Sequence, residues 1–357
     1  MPKLRPIAFV LPQFHPIPEN DAWWGKGFTE WTNVKKAKPL FKGHYQPHVP
    51  IDLCYYDLRN PEAREAQANI AKEHGIQGFC YYHYWFNGKR LLNYPIDEIL
   101  RLKEPDMPFM LCWANENWTR RWDGLDHDIL IKHEYNFEDD ANHMRWLCEN
   151  VFSDKRYIRV NDCPVFMIYR HDLFPEIKKT ATIWREIATK EFGYKGIYLC
   201  VAESFYKSIN PESINFDASV EFSAHDVMKY FFKKRFWNKI LYRADRAYSL
   251  RDFKKGVQDI INRKNPKYKF YRSITPSWDN SARKGKNAVI GVGSNPKLYY
   301  QWLKYIIENF IPYSVEENFI FINAMNEWAE GNHLEPCEKY GNKYLEATKK
   351  ALNNKFL

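Results

Sequence analysis

The 357-residue sequence predicts an α/β fold of the (β/α)8 TIM-barrel class, as a single domain with long strand-to-helix loops. Eight apolar runs of strand length occur along the chain, and most are followed by a helical pattern. This alternation is typical of parallel sheets, and eight repeats favour a closed barrel over a doubly wound sheet. A second observation agrees: Trp, His, Asn and carboxylate side chains are concentrated directly after the predicted strands, where a barrel builds its binding face.

The predicted strands are buried parallel strands, because β-branched and aromatic residues fill them with little polar alternation. They cover residues 6–14, 78–85, 108–113, 164–169, 196–202, 216–222, 272–278 and 318–325. Pro276 lies inside the seventh run, where a proline removes one hydrogen bond of the ladder.

The helices follow from the helical periodicity and from the residues that begin and end each helix. They are predicted over residues 60–74, 95–102, 137–151, 174–192, 253–262, 296–310 and 339–352. In the first, Asn60 is the expected N-cap, Pro61 occupies the first turn and Gly75 follows the end. Residues 15–50 form a long loop rich in Trp, His and Pro, which favours an ordered functional loop over disorder.

The amino-acid composition limits the structural classes to which the protein can belong. With 45% hydrophobic and 17% aromatic residues, the chain is expected to be globular. It has no apolar run of membrane-spanning length, and prolines interrupt the N-terminus, so no signal peptide is expected. The seven cysteines are scattered without a CxxC motif, which favours a reducing compartment and a cytoplasmic location, with peripheral association at the inner membrane as an alternative.

The charge of +9 is concentrated in one segment. Residues 229–255 contain ten Lys and Arg against two Asp, a net of +8, interleaved with aromatic residues. This segment belongs to a basic aromatic insertion at about residues 225–270 of a barrel that covers residues 1–357. Three interpretations stay open: a solvated cap on the barrel, a patch that contacts anionic membrane or a lipid-linked glycan, and a nucleic-acid surface. Nucleic acid is not expected, because no recognised binding motif accompanies the charge.

The eighth apolar run ends in the densest group of polar side chains in the chain. Asn326, Glu327, Trp328, Glu330 and His333 follow the strand within a few residues. Such a pair of carboxyl groups suits acid–base chemistry, in which one carboxyl gives a proton and the other accepts one or stabilises positive charge. Glu327 and Glu330 are therefore the predicted catalytic pair. The alternative is two solvent-exposed loop glutamates.

A second polar and aromatic group follows the third strand. Aromatic faces can cover the C–H faces of sugar rings while short polar side chains bind the hydroxyls, so a Trp-rich polar cleft indicates an oligo- or polysaccharide substrate. About half of the Trp residues in these loops are expected only to pack the loops. The predicted substrate-binding residues are Asn326, Trp328 and His333 after the eighth strand, and Asn115, Glu116, Trp118, Arg121, Asp123, Gln13, His15, Trp24, His83, Trp85, Glu203, Trp278 and Asp279 elsewhere.

Several other chemistries lack support in the sequence. There is no GxxxxGK[ST] motif, no GxGxxG after a strand and no GxSxG. His127 and His133 are close in sequence but have no third ligand nearby, so no metal site is expected. We expect no cofactor.

Four stretches resemble glycoside hydrolase family 99: LPQFHPIPENDAWWGKGFTEWTNV from Leu11, YYHYWFNGKRLL from Tyr81, CWANENWTRRWDG from Cys112, and NEWAEG from Asn326. Over nearly its whole length the chain is most similar to the WbsX-like branch of that group. Members of this branch occur among bacterial surface-polysaccharide genes and are often labelled as glycosyltransferases.

The resemblance implies a (β/α)8 fold and an endo-acting, retaining attack on α-mannoside-type linkages. By position, Glu327 would assist the sugar's own 2-hydroxyl as internal nucleophile, and Glu330 would act as general acid and then as base. The chain departs from the mannan-cleaving members at Ala329, where they carry His. Two alternatives stay open: a glycosyltransferase or transglycosylase of lipopolysaccharide O-antigen or capsule biosynthesis, and a glycan-binding barrel without catalysis.

Overall fold

The computed structural model describes residues 4–120, 125–232 and 248–353. Eight parallel strands form the barrel. They are β1 (Arg5–Val10), β2 (Gly78–Phe86), β3 (Phe109–Trp113), β4 (Cys163–Ile168), β5 (Tyr198–Glu203), β6 (Ala218–Glu221), β7 (Phe270–Tyr271 and Ser273–Ile274) and β8 (Phe319–Ile322).

The strand pairing closes the barrel. Strands β1 to β6 pair with their neighbours in chain order, and β1 also pairs with β8, with Ile7 opposite Phe321. The first half of β7 pairs with β6 and its second half with β8. Because only Arg272 separates the two halves, the sheet is continuous around the ring. The (β/α)8 prediction is confirmed.

Eleven α-helices occur within the described residues, and most pack around the barrel. They are Pro18–Trp24, Glu30–Lys36, Pro61–Glu73, Tyr94–Leu102, Phe137–Asn150, Ile177–Glu186, Ser223–Asp226, Phe253–Asn262, Ser281–Lys284, Pro296–Glu308 and Lys343–Asn353. Ile177–Glu186 continues as a π-helical segment, Ile187–Glu191.

Helix starts follow local sequence chemistry. Asn136, Asp252 and Asn295 each cap the helix that follows. The side chain of each accepts a hydrogen bond from the backbone N–H of the third residue of that helix. This bond satisfies a donor that the first turn leaves free. Asn60 does precede the helix Pro61–Glu73, but its side chain makes no capping hydrogen bond.

Two predicted elements differ from the structure. The seventh strand ends at Ile274, so residues 275–278 leave the sheet, because the strand ladder cannot continue through Pro276. The long loop predicted at residues 15–50 contains the helices Pro18–Trp24 and Glu30–Lys36. The second of these begins beside the barrel mouth, where the N–H of Glu30 donates to the carbonyl of Gln13 at 2.9 Å.

Smaller strands lie outside the barrel. They are Lys89–Leu91, Trp118–Arg120, Leu125–Ile131, Arg159–Val160, Ser249–Asp252, Val289–Val292, Asn326–Glu327 and Asn332–His333.

The basic segment 229–255 lies only partly within the described residues, since 233–247 fall outside them. Its described ends pair with each other: the N–H of Phe232 donates to the carbonyl of Leu250 at 3.0 Å, and the N–H of Asp252 donates to the carbonyl of Tyr230 at 2.8 Å.

Within residues 4–120, 125–232 and 248–353, none of the helices has the length and apolar character needed to cross a bilayer. The three interpretations of the basic segment 229–255 stay predictions.

Gly256 allows the helix Phe253–Asn262 to pack against the loop after β6. A Cβ atom at this position would lie 2.1 Å from the carbonyl oxygen of Val227. We expect Gly256→Ala to lower the free energy of unfolding by about 3 kcal/mol, because backbone atoms must move to relieve the clash. Urea denaturation measures this, with the exposed Gln258→Ala on the same helix as control. Equal stability of the two variants would contradict this packing.

Candidate active site

A cleft of about 610 Å³ opens at the carboxyl ends of the barrel strands. Every strand contributes a lining residue near or after its end: Leu11, Tyr84, Ala114, Tyr169, Phe205, Phe222, Trp278 and Asn323. The cleft thus occupies the face that a (β/α)8 barrel uses for binding and catalysis.

Arg283 lies at the centre of a cluster of three carboxyl groups at this cleft. Its Nη1 donates to Oε1 of Glu330 at 2.5 Å, and its Nη2 donates to Oε2 of Glu327 at 3.0 Å. The same Nη2 donates to Oε1 of Glu30 at 2.9 Å, and the N–H of Ala329 also donates to Glu30, at 2.8 Å. Because the guanidinium is rigid and planar, it fixes the two predicted catalytic carboxyls relative to each other.

Burial and mutual repulsion shift the ionisation of this cluster. Burial raises the pKa of Glu327 to about 8, with Arg283 opposing the shift and Glu330 adding to it. Burial also raises the pKa of Glu30. Desolvation lowers the pKa of Arg283, but the three carboxyls outweigh it and the net shift is upward. One buried cation faces three carboxyls, and this imbalance favours the protonated forms of Glu327 and Glu30.

The two predicted catalytic residues differ in exposure. The side chain of Glu330 is 20% exposed and that of Glu327 is 8% exposed, and both line the cleft. Glu330 is therefore the carboxyl more accessible to a ligand, while Glu327 lies deeper, where water solvates its charge less.

A tight turn holds the pair in place. Asn326–Glu327 pairs antiparallel with Asn332–His333 around the 3-10 turn Trp328–Glu330. Gly331 ends this turn at φ +56°, and a Cβ there would lie 2.9 Å from the Cβ of Asp279, so the position favours glycine.

Asn326 ties this turn to the end of β1. Its Oδ1 accepts the N–H of Leu11 at 2.7 Å, and its Nδ2 donates to the carbonyl of Leu11 at 3.0 Å. The side chain is fully buried and does not line the cleft. The prediction that Asn326 binds substrate is thereby corrected, because its side-chain oxygen and nitrogen both form hydrogen bonds with the backbone of Leu11, directly after β1.

Trp328 and His333 lie beneath the carboxyl pair rather than on the cleft wall. Their rings stack with centroids 3.7 Å apart, and Nε1 of Trp328 donates to Oε2 of Glu335 at 2.6 Å. Glu335 also accepts from Nε2 of Gln67 at 2.6 Å and from the hydroxyl of Tyr56 at 3.0 Å. Burial raises the pKa of Glu335 to about 7. These two predicted binding residues instead form a buried support for the turn.

Asp279 also acts as an anchor. Its Oδ2 lies 2.6 Å from Nε2 of His44 and accepts from Nε2 of Gln46 at 2.9 Å, and its N–H donates to the carbonyl of Glu330 at 2.6 Å. Desolvation raises the pKa of Asp279, but the hydrogen bond and charge of His44 outweigh it, and the net shift is downward. Asp279 was predicted as a hydroxyl ligand, yet its carboxylate faces the long first loop and positions Glu330.

The loop after β3 brings only part of its predicted set to the cleft. Glu116 and Trp118 line it. Asn115 is fully buried, where its Nδ2 donates to the carbonyl of Arg170 at 2.7 Å and its Oδ1 accepts the N–H of the same residue at 2.8 Å. This amide holds the loops after β3 and β4 together, which corrects its predicted role. Arg121 and Asp123 lie outside the described residues.

The alternation of β2 explains two further corrections. Tyr82 and Tyr84 face the cleft, so the residues between and after them point to the opposite side of the strand. Nε2 of His83 lies 2.9 Å from Nε2 of His143, and Nε1 of Trp85 donates to Asp139 at 3.0 Å. Both therefore pack against the helix Phe137–Asn150. Burial lowers the pKa of His83 to about 3.

The remaining predicted residues divide in the same way. Gln13, Trp24 and Trp278 line the cleft. His15 is buried outside it, and burial lowers its pKa to about 4. Glu203 accepts from the hydroxyl of Tyr268 at 2.6 Å and is likewise absent from the cleft wall. These last two are corrected to structural positions.

No cluster of three or more His, Cys, Asp or Glu side chains suited to a metal ion occurs in the described part of the chain. At the cleft, the three clustered carboxyls share a guanidinium instead.

A sequence model of the family described as "Glycosyltransferase WbsX" matches residues 6–348. The chain belongs to this family. The resemblance carried by the four motifs is thereby confirmed.

Two curated relatives from strains of Xanthomonas campestris pv. campestris, each described as "Uncharacterized protein WxcX", are 40% identical to the chain over 347 residues. The match covers 97% of this chain and 49% of the relatives. The chain therefore spans about half the length of the curated relatives it matches.

Solved structures share the fold. A protein described as glycoside hydrolase-like aligns with a TM-score of 0.61 at 14% identity, over 99% of this chain and 94% of its own. The GH99 endo-alpha-mannosidase from Bacteroides thetaiotaomicron aligns with a TM-score of 0.55 at 15% identity, over 98% of this chain and 97% of its own. At this identity the likeness shows the fold.

Two members of the carboxyl cluster in this WbsX-family chain, Glu30 and Arg283, were not among the predicted site residues. Glu30 lies in the motif that starts at Leu11, and Arg283 follows the Trp278–Asp279 pair by a few residues. The signal that could have found Arg283 is chemical: a buried pair of carboxyls requires a nearby cation. Glu30 gave no such signal, because the sequence places it within the long loop predicted at residues 15–50.

Proposed function

We propose that the chain is a retaining, endo-acting glycoside hydrolase that cleaves mannoside-type linkages in bacterial surface polysaccharide. The observation that carries this proposal is the pair Glu327 and Glu330, held on one guanidinium at the mouth of an aromatic cleft. Membership of the WbsX family and a fold shared with a GH99 endo-alpha-mannosidase support the choice of chemistry.

The two carboxyls take different roles in this proposal. Glu330, the more exposed, gives a proton to the oxygen of the leaving sugar and later takes one from the incoming water. Glu327 accepts the proton of the substrate's 2-hydroxyl while that oxygen bonds to the anomeric carbon, and it returns the proton when water attacks that carbon and breaks this bond. No enzyme carboxylate then bonds to the sugar, and two successive displacements at one carbon retain its configuration.

Aromatic side chains from three loops support internal cleavage. Trp24 comes from the loop after β1, Trp118 from that after β3 and Trp278 from that after β7, and all three line the cleft. Because these loops flank the carboxyl pair, sugar rings on either side of the cleaved bond can stack on a Trp face.

The pKa of Glu327 provides a test of these roles. A base must be ionised to accept the 2-hydroxyl proton, and burial raises the pKa of Glu327 to about 8. Because Glu330 must be protonated at the same time, the active form holds one proton on the pair, and we expect kcat/KM to fall as pH rises above about 8, where that proton is lost. A pH–rate profile of the wild type beside Glu338→Gln, an exposed glutamate of the same loop, measures this. A rate that continues to increase above pH 8 would contradict a mechanism in which this pair must hold a proton.

A glycosyltransferase or transglycosylase that uses a nucleotide- or lipid-linked donor is the second candidate. The observation that favours it is the family's own description as a glycosyltransferase. The net charge of +8 in residues 229–255 suits contact with an anionic lipid surface. Against it stands the lack of any recognised diphosphate-binding motif in the sequence.

The experiment that tests the proposal is a time course on the producing organism's surface polysaccharide, first without and then with nucleotide sugars. Released fragments are identified by mass spectrometry. The proposal predicts fragments without any donor and none from Glu330→Gln. Chain extension only when a donor is supplied would establish the transferase. Binding of the polysaccharide with no reaction in either condition would establish a glycan-binding barrel.

A further inference from the structure

One wall of the cleft is built outside the barrel by a small parallel sheet. Ser249–Asp252 pairs with Val289–Val292, which places Arg251 opposite Gly291. The sheet is attached to the loop after β7, because the N–H of Gly291 donates to the carbonyl of Trp278 at 2.8 Å. A Cβ at Gly291 would lie 2.9 Å from Cε of Met228, so glycine lets the sheet approach the cleft closely.

Arg251 extends from this sheet into the lining of the cleft. Its guanidinium carbon lies 3.8 Å from the ring centroid of Phe231. A guanidinium stacked in this way keeps the donors at its edge available to an acceptor.

The guanidinium N–H donors of Arg251 have few acceptors among the described residues. Its Nε is shielded from solvent and has no hydrogen-bond partner among the described residues. Within residues 4–120, 125–232 and 248–353, no carboxylate forms an ion pair with it either. The positive charge of Arg251 is therefore not neutralised by any carboxylate of the described residues, although the residue lines the cleft.

The acidic residues of the cleft are already engaged elsewhere. Oε1 of Glu116 accepts from Nη1 of Arg170 at 2.6 Å, and Glu327 and Glu330 accept from Arg283. Two further cations, Arg251 and Lys284, line the cleft. Their positive charges favour an anion.

We propose that the wall formed by Arg251 and Lys284 is a subsite for an anionic group on the glycan. The group is an oxyanion, either the carboxylate of an acidic sugar or a phosphate, since the edge of a guanidinium matches both geometries. The inference rests on the proposed function, because it names the class of glycan that the carboxyl pair would act on. It makes an acidic polysaccharide, rather than a neutral mannan, the substrate.

Binding measurements separate this subsite from catalysis. The probes are mannotriose, its C6-oxidised uronate form and inorganic diphosphate, titrated calorimetrically into the full chain carrying Glu330→Gln to prevent turnover. We expect the uronate to bind about tenfold more tightly than mannotriose at low salt, and less so as salt screens the charge. Arg251→Met should remove this preference, so that the uronate and mannotriose bind with similar affinity, and Arg251→Lys should retain part of it.

Arg101→Met is the matched control, because Arg101 is exposed and pairs with Glu98 on the helix Tyr94–Leu102. Diphosphate binding without uronate binding, if lost in Arg251→Met, would assign the anion as a phosphate. Three results would overturn the proposed subsite. They are no binding of the uronate or of diphosphate when Arg251 is intact, no preference for the anionic probe over mannotriose, and a preference that survives Arg251→Met.

The outcomes also distinguish this inference from the proposed function. A protein that prefers the uronate but cleaves no glycan would overturn the hydrolase and leave the subsite. A protein that cleaves acidic and neutral glycans equally well, with or without Arg251, would overturn the subsite and leave the hydrolase.

Discussion

Replacing Glu330 by Gln is expected to lower kcat on the polysaccharide by about 10³-fold, because an amide cannot protonate the leaving oxygen. The fold should be unaffected, since Gln can still accept the hydrogen bond that Arg283 donates to Glu330. Mass spectrometry of released fragments measures the rate, and thermal unfolding checks that the variant is folded. Glu338→Gln, an exposed glutamate of the same loop, is the matched control.

The leaving group separates the two carboxyl roles. On an aryl glycoside whose leaving group needs no proton, Glu330→Gln should recover most of the bond-cleavage rate, whereas Glu327→Gln should stay inactive because the 2-hydroxyl still needs a base. Loss of the same size for both variants on both substrates would contradict this division of roles.

Arg283→Met is expected to lower the free energy of unfolding by about 3–5 kcal/mol, because it leaves buried carboxyls without their cation. Activity should be lost as well, since the two proposed catalytic carboxyls lose the group that positions them. Chemical denaturation measures the stability. Arg101→Met, which removes an exposed ion pair, is the control and should change stability by less than about 1 kcal/mol.

The loss of folding stability caused by Arg283→Met should depend on pH. Burial raises the pKa of Glu30 and of Glu327 above their unfolded values, so the folded protein binds more protons, and stability falls as pH rises through this range. Without Arg283 those pKa values rise further, so the deficit should be larger at pH 9 than at pH 5. Adding Glu30→Gln removes one of the carboxyls and should restore part of the stability. A deficit independent of pH would mean that Arg283 contributes packing rather than charge.

The strands could be predicted because local sequence determines them. Apolar runs with no polar alternation became buried strands with ends within a few residues of the prediction, as in β2 (Gly78–Phe86). The two halves of β7 could not be predicted in this way. Each half is two residues long and depends on its neighbour in the closed sheet.

The candidate site was predicted where a strand end alone decides the position, as for Glu327 and Glu330. The prediction was wrong for His83 and Trp85, because placing a strand does not decide which alternate residues face the cleft. It missed Glu30 and Arg283, which are 253 residues apart and meet only in the folded barrel. Contacts of this range leave no local pattern in the sequence.

The most direct test of the central claim is a proton NMR time course of the wild type on the surface polysaccharide, with no glycosyl donor present. We expect new reducing ends whose first-formed anomer keeps the configuration of the cleaved linkage, followed by slow mutarotation. An inverted first-formed anomer, or reducing ends that never appear without a donor, would contradict it.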